Sequence, residues 1–210
     1  MTALAEHGAA PERTHAAALR VLHDPSPVDL DAAEQAAAAF LSALGLSLDS
    51  ESLRATPGRM ARAYAEMFAH RPFELTTFPN DEGYDELVLG RSIPVQSVCE
   101  HHLLPFVGVA HVGYLPGERI LGLSKLARVV EMFARRPQVQ ERLTKQVADW
   151  LQEHLRPKGV GVVVEAHHMC MSLRGVRAPD AVTVTSAVHG LLREDRGSRQ
   201  EFFSLTGIRA

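Results

Sequence analysis

Two runs, Ser92 to Val98 and Phe106 to Leu115, flank the segment Cys99-Glu100-His101-His102 so closely that they read as antiparallel neighbours joined by a bend. Both have the composition of strands, and Pro116-Gly117 ends the second. Two helical patterns follow, split at Pro137. Ser124 to Arg135 carries Leu126, Val129, Val130 and Phe133 on one face, and Gln138 to Leu155 carries Val139, Leu143, Val147, Trp150 and Leu151. Two further strand runs, Gly159 to Met169 and Ala181 to Gly190, lead into a closing helix from Arg196 to Leu205. This order predicts an α+β fold, a four-stranded antiparallel sheet with two helices on one face.

A helical pair precedes the sheet. Leu30, Ala33, Ala37, Phe40, Leu41 and Leu44 recur at helical spacing, with Gly45 where a helix end favours left-handed backbone. Thr56 reads as the N-cap of a second helix, with Pro57 in its first turn and Met60, Tyr64, Met67 and Phe68 on one face. The expected organisation is a flexible segment over 1–27, a helical region and connector over 28–90, and a catalytic domain over 91–210.

Composition narrows the function. A content of 46% hydrophobic and 22% charged residues fits a soluble globular chain, and a net charge of -3 provides no basic field for nucleic acid. No run approaches the ~20 apolar residues of a membrane span, and no basic-then-apolar secretory profile opens the sequence. A cytoplasmic protein without nucleic-acid or membrane partners is expected. Its 2 cysteines form no disulfide framework, and in a reducing compartment they remain available as metal ligands.

Cys99 and His102 are three residues apart in a bend, so both side chains can point at one ion. His168 and Cys170, two apart in a strand, are expected to face one side, with Met169 and Met171 on the other. If bend and strand meet, both thiols and the imidazoles of His101, His102 and His168 form a nitrogen and sulfur set that favours zinc. A closed structural site with His168 as fourth ligand is the main alternative. An open fourth position would separate catalysis from scaffolding.

The runs Cys99-Glu100-His101-His102, Gly122-Leu123-Ser124-Lys125, Arg136-Pro137-Gln138-Val139-Gln140-Glu141-Arg142 and His168-Met169-Cys170, with Arg174-Gly175, closely resemble type I GTP cyclohydrolase. The likeness runs from Thr56-Pro57-Gly58-Arg59 to Glu201-Phe202. It implies a T-fold, a ring-shaped homodecamer with active sites at subunit junctions, and conversion of GTP and water to 7,8-dihydroneopterin triphosphate and formate on the route to folate-type pterins. It implies zinc held by Cys99, His102 and Cys170, with water in the fourth position made acidic enough to attack C8 of guanine. Proton transfer falls to His101 and His168, with Ser124 also in the reaction. Glu141, with Gln140 beside it, is the implied partner of the guanine N1–H and N2 amino group. Arg59, Lys125, Arg128 and Arg174 are the implied triphosphate ligands, helped by the Ser124 hydroxyl, which also suits a helix N-cap. The competing readings are a structural zinc module binding nucleotide as a regulatory ligand, and another T-fold purine or pterin enzyme, which the Cys-Glu-His-His run disfavours.

Overall fold

The structure, a computed structural model, describes residues 19–20, 27–69 and 71–207. The expected flexible segment 1–27 lies outside them except for Pro27 and the short strand β1, Leu19–Arg20, which pairs antiparallel with β2, Glu74–Leu75. Between these strands lie α1, Leu30–Ala43, and α2, Thr56–Phe68. The Asp29 carboxylate caps α1 by accepting from the Ala32 N–H at 2.9 Å, and Gly45, at φ +83, turns the chain after its end. Thr56 is not the cap of α2 but its first helical residue, since Ala55 holds the cap position without a side-chain bond. Pro57 still falls in the first turn, where its missing N–H loses no helical bond.

Strand β3, Thr77–Pro79, pairs with β6, Arg119–Leu121. The main sheet joins β4, Val88–Cys99, β5, Pro105–Leu115, β8, Gly159–His168, and β9, Thr183–Gly190, in antiparallel order, and two residues of β7, Pro137–Gln138, add a parallel edge beside β4. The sheet thus has the expected long strands and one short addition. That addition delays the second sheet-packed helix: α3 spans Ser124–Ala134, but α4 runs Gln140–Leu155 and starts only after Gln138 has paired with Cys99. β4 begins before Ser92 because a bulge between Gly90 and Ile93, with Ser92 at φ +53, breaks the alternation that marks a strand in sequence.

Helices α3 and α4 cover one face. Their Leu126, Val129, Val130, Leu143, Val147 and Leu151 pack on Val95, Phe106, Val112, Val162 and Val164 in one buried cluster. After α6, Leu191–Glu194, the closing helix α7, Arg196–Thr206, covers part of the opposite face. Its Phe202 is fully buried over Gly113 and Gly161, paired glycines whose missing side chains leave room for the ring.

Candidate active site

Backbone bonds close the bend between β4 and β5: Cys99 N–H donates to Leu104 O at 2.9 Å, and Leu103 N–H, at φ +52, donates to Cys99 O at 2.8 Å. Cys99 is thereby turned inward and buried, while His101 and His102 stay exposed. Glu100 reaches across to Arg142 on α4, and that guanidinium holds its carboxyl below the usual range. Tyr64 of α2 donates to Leu103 O at 2.9 Å, so the N-terminal helices also seat against the bend.

The register of β5 against β8 puts Phe106 opposite His168, which brings the end of β8 beside the bend. Cys170 is not on that strand. The chain coils after His168 into a helical turn, α5, Met169–Ser172, so the expected two-residue strand alternation does not place Cys170. The turn places it instead, and one ligand atom each from Cys99, His102 and Cys170 lies within 4.8 Å of the others. His102 Nδ1 and His101 Nδ1 each stand 3.9 Å from Cys99 Sγ.

Two sulfurs and one imidazole nitrogen are a donor set suited to zinc, and this is the one such group among the described residues. Burial pushes the Cys170 thiol up, and the neighbouring Cys99 pushes it further. A divalent cation between them reverses that balance by favouring both thiolates. His168 stands outside the group: its Nε2 is bonded to Gln140 Oε1 at 2.7 Å, and its ring stacks on Phe106 at 4.5 Å and 12°. Burial holds His168 below the ordinary histidine range, and the charge of Glu141 opposes the shift. His167 is exposed.

Glu141 is exposed in the first turn of α4, whereas Gln140 is only 2% exposed. Arg174 Nη1 lies 3.2 Å from His102 Nε2, which brings this cation to the metal group. Arg59, on α2, donates to Ser52 O at 2.9 Å and Thr56 Oγ1 at 2.8 Å. Ser124, Lys125 and Arg128 lie elsewhere. Leu126 approaches Gly90 while Ala134 O accepts from Ser97 Oγ, so α3 runs along β4 with its first turn at the end remote from Cys99. Ten helical steps of about 1.5 Å, plus two strand residues, separate Ser124 from Cys99 by on the order of 20 Å. Lys125 sits over Phe73 at 5.9 Å, and Arg128 pairs with Glu131 at 3.0 Å. Ser124 is not an N-cap, because Leu123 holds that position and no side chain caps the helix.

The family profile of GTP cyclohydrolase I matches residues 33–207. The chain belongs to the GTP cyclohydrolase I family. A GTP cyclohydrolase 1 from Streptomyces avermitilis is 60% identical over 178 residues, covering 82% of this chain and 88% of its own. One from Mycobacterium avium is 50% identical over 207 residues, covering 96% and 98%, and one from Aquifex aeolicus is 49% identical over 178 residues, covering 85% and 97%. A solved archaeosine synthase QueF-Like, in the apo form, covers 50% of this chain and 93% of its own at a TM-score of 0.40 and 19% identity, too distant to bear on the site.

The sheet with its two covering helices is the T-fold expected of a GTP cyclohydrolase I family member. Several residues that build this site had no mark in the sequence. Phe106 reads there as an ordinary core position, yet its ring sets the plane of His168. Thr144 and Thr185, which bond each other at 2.6 Å and surround Gln140, belong to no motif. The Glu100–Arg142 pair joins two motifs separated by a helix and a strand crossing, and only the fold brings them together.

Proposed function

We propose that this chain converts GTP and water to 7,8-dihydroneopterin triphosphate and formate, with zinc as its metal, and that it works as a cytoplasmic homodecamer. The observation that carries this reading is the convergence of Cys99, His102 and Cys170 beside His168, His101 and Glu141. The activity borne in the names of relatives at 49 to 60% identity supports it. Cys99, His102 and Cys170 would hold the zinc ion, which when bound would supply Lewis acidity for hydrolytic chemistry at the guanine ring.

The remaining work falls to side chains. The Glu141 carboxylate accepts the guanine N1–H and N2 amino protons in a fork that adenine cannot satisfy, and this orients C8 toward the metal group. His168 and His101 exchange protons with the substrate as the imidazole ring of guanine opens and formate leaves. Arg174 and Arg59 hold phosphate oxygens. Ser124, Lys125 and Arg128 serve the site of a neighbouring chain, because on the order of 15 to 20 Å separates them from their own metal group. That division of the binding residues supports a closed ring of copies. In the described residues no helix is long and apolar enough to cross a membrane.

Incubation of the purified protein with GTP, with formate and pterin fluorescence followed with and without a chelator, tests this reading. Formate release that stops on chelation and in Cys170→Ala is expected. Full turnover by metal-free Cys170→Ala protein would refute it, as would turnover of pterins with none of GTP.

A further inference from the structure

The amide of Gln140 has an orientation that its surroundings dictate. Its nitrogen faces Val164 O at 3.0 Å, Thr183 O at 2.9 Å and Thr185 Oγ1 at 3.1 Å. The two carbonyls can only accept, so the donating end of the amide must lie there. The hydroxyls agree with this assignment. Thr144 Oγ1 donates its one proton to Gln140 O at 2.8 Å, so across the 2.6 Å contact Thr185 is the donor. Thr185 then meets Gln140 Nε2 with a lone pair. The two Nε2 protons are shared among these three acceptors, and the remaining atom, Gln140 Oε1, is an acceptor that lies 2.7 Å from His168 Nε2.

We infer that Gln140 is a positioning residue for His168, fixing its neutral ring as the Nε2–H tautomer so that Nδ1 alone presents a lone pair. Two orthogonal restraints act on the ring. Stacking on the fully buried Phe106 sets its plane, and the bond to Gln140 sets which edge faces inward. Among the described residues the contact with Gln140 is the one hydrogen bond made by the His168 ring. The sequence expectation that Gln140 joins Glu141 at the guanine gives way for a geometric reason. Consecutive helical residues point about 100° apart, so Glu141 faces outward while Gln140 turns into the sheet. All of its amide groups are then consumed by protein partners. The inference rests on the proposed activity only in taking His168 to move protons.

Solid-state NMR of the sedimented holoprotein labelled with ¹⁵N-histidine reads the tautomer without reference to turnover. At a pH above about 7.5, where a histidine is neutral, the signals absent from His168→Asn belong to His168. A protonated Nε2 and a bare Nδ1 are expected, and a protonated Nδ1 at His168 of the wild-type protein overturns the inference whether or not Gln140→Leu folds. Gln140→Leu removes the acceptor at similar volume. It should give mixed tautomers, a kcat about 10- to 100-fold lower and a KM for GTP within about threefold of wild type. A raised KM with unchanged kcat would instead make Gln140 a substrate contact and overturn the inference. Failure of the wild-type protein to release formate from GTP would sink the proposed activity while leaving the tautomer result to stand or fall alone.

Discussion

Gly108 offers a sharp test of how the sheet holds the site together. It lies on β5 opposite Ala166 of β8, two residues from the Phe106–His168 pair. A Cβ built there would stand 1.9 Å from Glu165 O, 2.6 Å from Ala166 Cα and 2.8 Å from Ala166 Cβ. All three are parts of the neighbouring strand, with no flexible side-chain end to give way. Relief to ordinary contact needs the strands to part by more than 1 Å, which stretches inter-strand bonds of about 2.9 Å out of range. Two buried ladder bonds left unmade cost about 1–3 kcal/mol each. Against this, alanine gains only about 0.4–1 kcal/mol by restricting the unfolded chain. Gly108→Ala is therefore expected to lose a few kcal/mol, on the order of 3, from a total of about 5–15. At about 2–4 °C per kcal/mol for a chain of this size, the melting midpoint should fall by roughly 10 °C.

The control is Gly122→Ala, whose added Cβ would meet nothing nearer than 3.5 Å and whose midpoint should stay within about 2 °C. Calorimetry of the two variants measures the contrast, and zinc content measures its reach into the site. Parting β5 from β8 moves His168 relative to the bend, so Gly108→Ala should also retain less zinc. Equal midpoints for the two variants would refute the close-approach reasoning outright.

Burial holds His168 below the ordinary value of about 6.5, so the unfolded chain binds its proton first. The stability this neutral histidine contributes is complete above about pH 6.5 and declines as pH falls through the window below it. His168→Asn should flatten the slope of urea midpoint against pH in that window, and an unchanged slope would count against the burial argument. Glu141 opposes the shift, so Glu141→Gln should move the same slope to lower pH. By the proposed guanine contact it should also raise KM for GTP by about tenfold or more, as loss of a charged hydrogen-bond partner costs about 1.5–3 kcal/mol. Lys125→Ala and Cys170→Ala proteins, each inactive alone, should regain formate release when dissociated and reassembled together. No recovery would argue against a site shared between chains.

The fold was legible wherever hydrophobic period and punctuation agreed. Gly45 and Pro57 mark helix ends through local backbone chemistry, and the strand runs of β5 and β8 are apolar enough to stand out alone. Legibility failed where pairing overrode pattern. Gln138 looks like the start of a helix, yet with Pro137 it becomes a strand edge because β4 offers it an unpaired backbone. Cys170 looks like the last alternating residue of a strand, but past His168 no strand continues opposite Pro105, the first residue of β5. The chain coils there, and the coil carries the thiol to Cys99. Spacing thus marked both thiols and the nearby histidines as a candidate metal group and the family resemblance singled out His102, although Cys170 reaches the group from a helical turn and not from a strand.

The motif order poses a deeper problem, because it mixes residues that meet within one chain with residues that do not. Arg136-Pro137-Gln138-Val139-Gln140-Glu141 follows α3 directly, so in motif order the Ser124 hydroxyl, the Lys125 cation and the carboxylate of Glu141 look like neighbours. A rigid helix of 11 residues intervenes, and its length is about 16 Å whatever its composition. Periodicity can say that such a helix lies flat on the sheet, and it then follows that its two ends serve different places. Hydrophobic pattern carries no record of which copy of the chain lies beside either end. On the proposed function the two ends of this helix serve the sites of different chains, and the mixed Lys125→Ala and Cys170→Ala assembly tests that division.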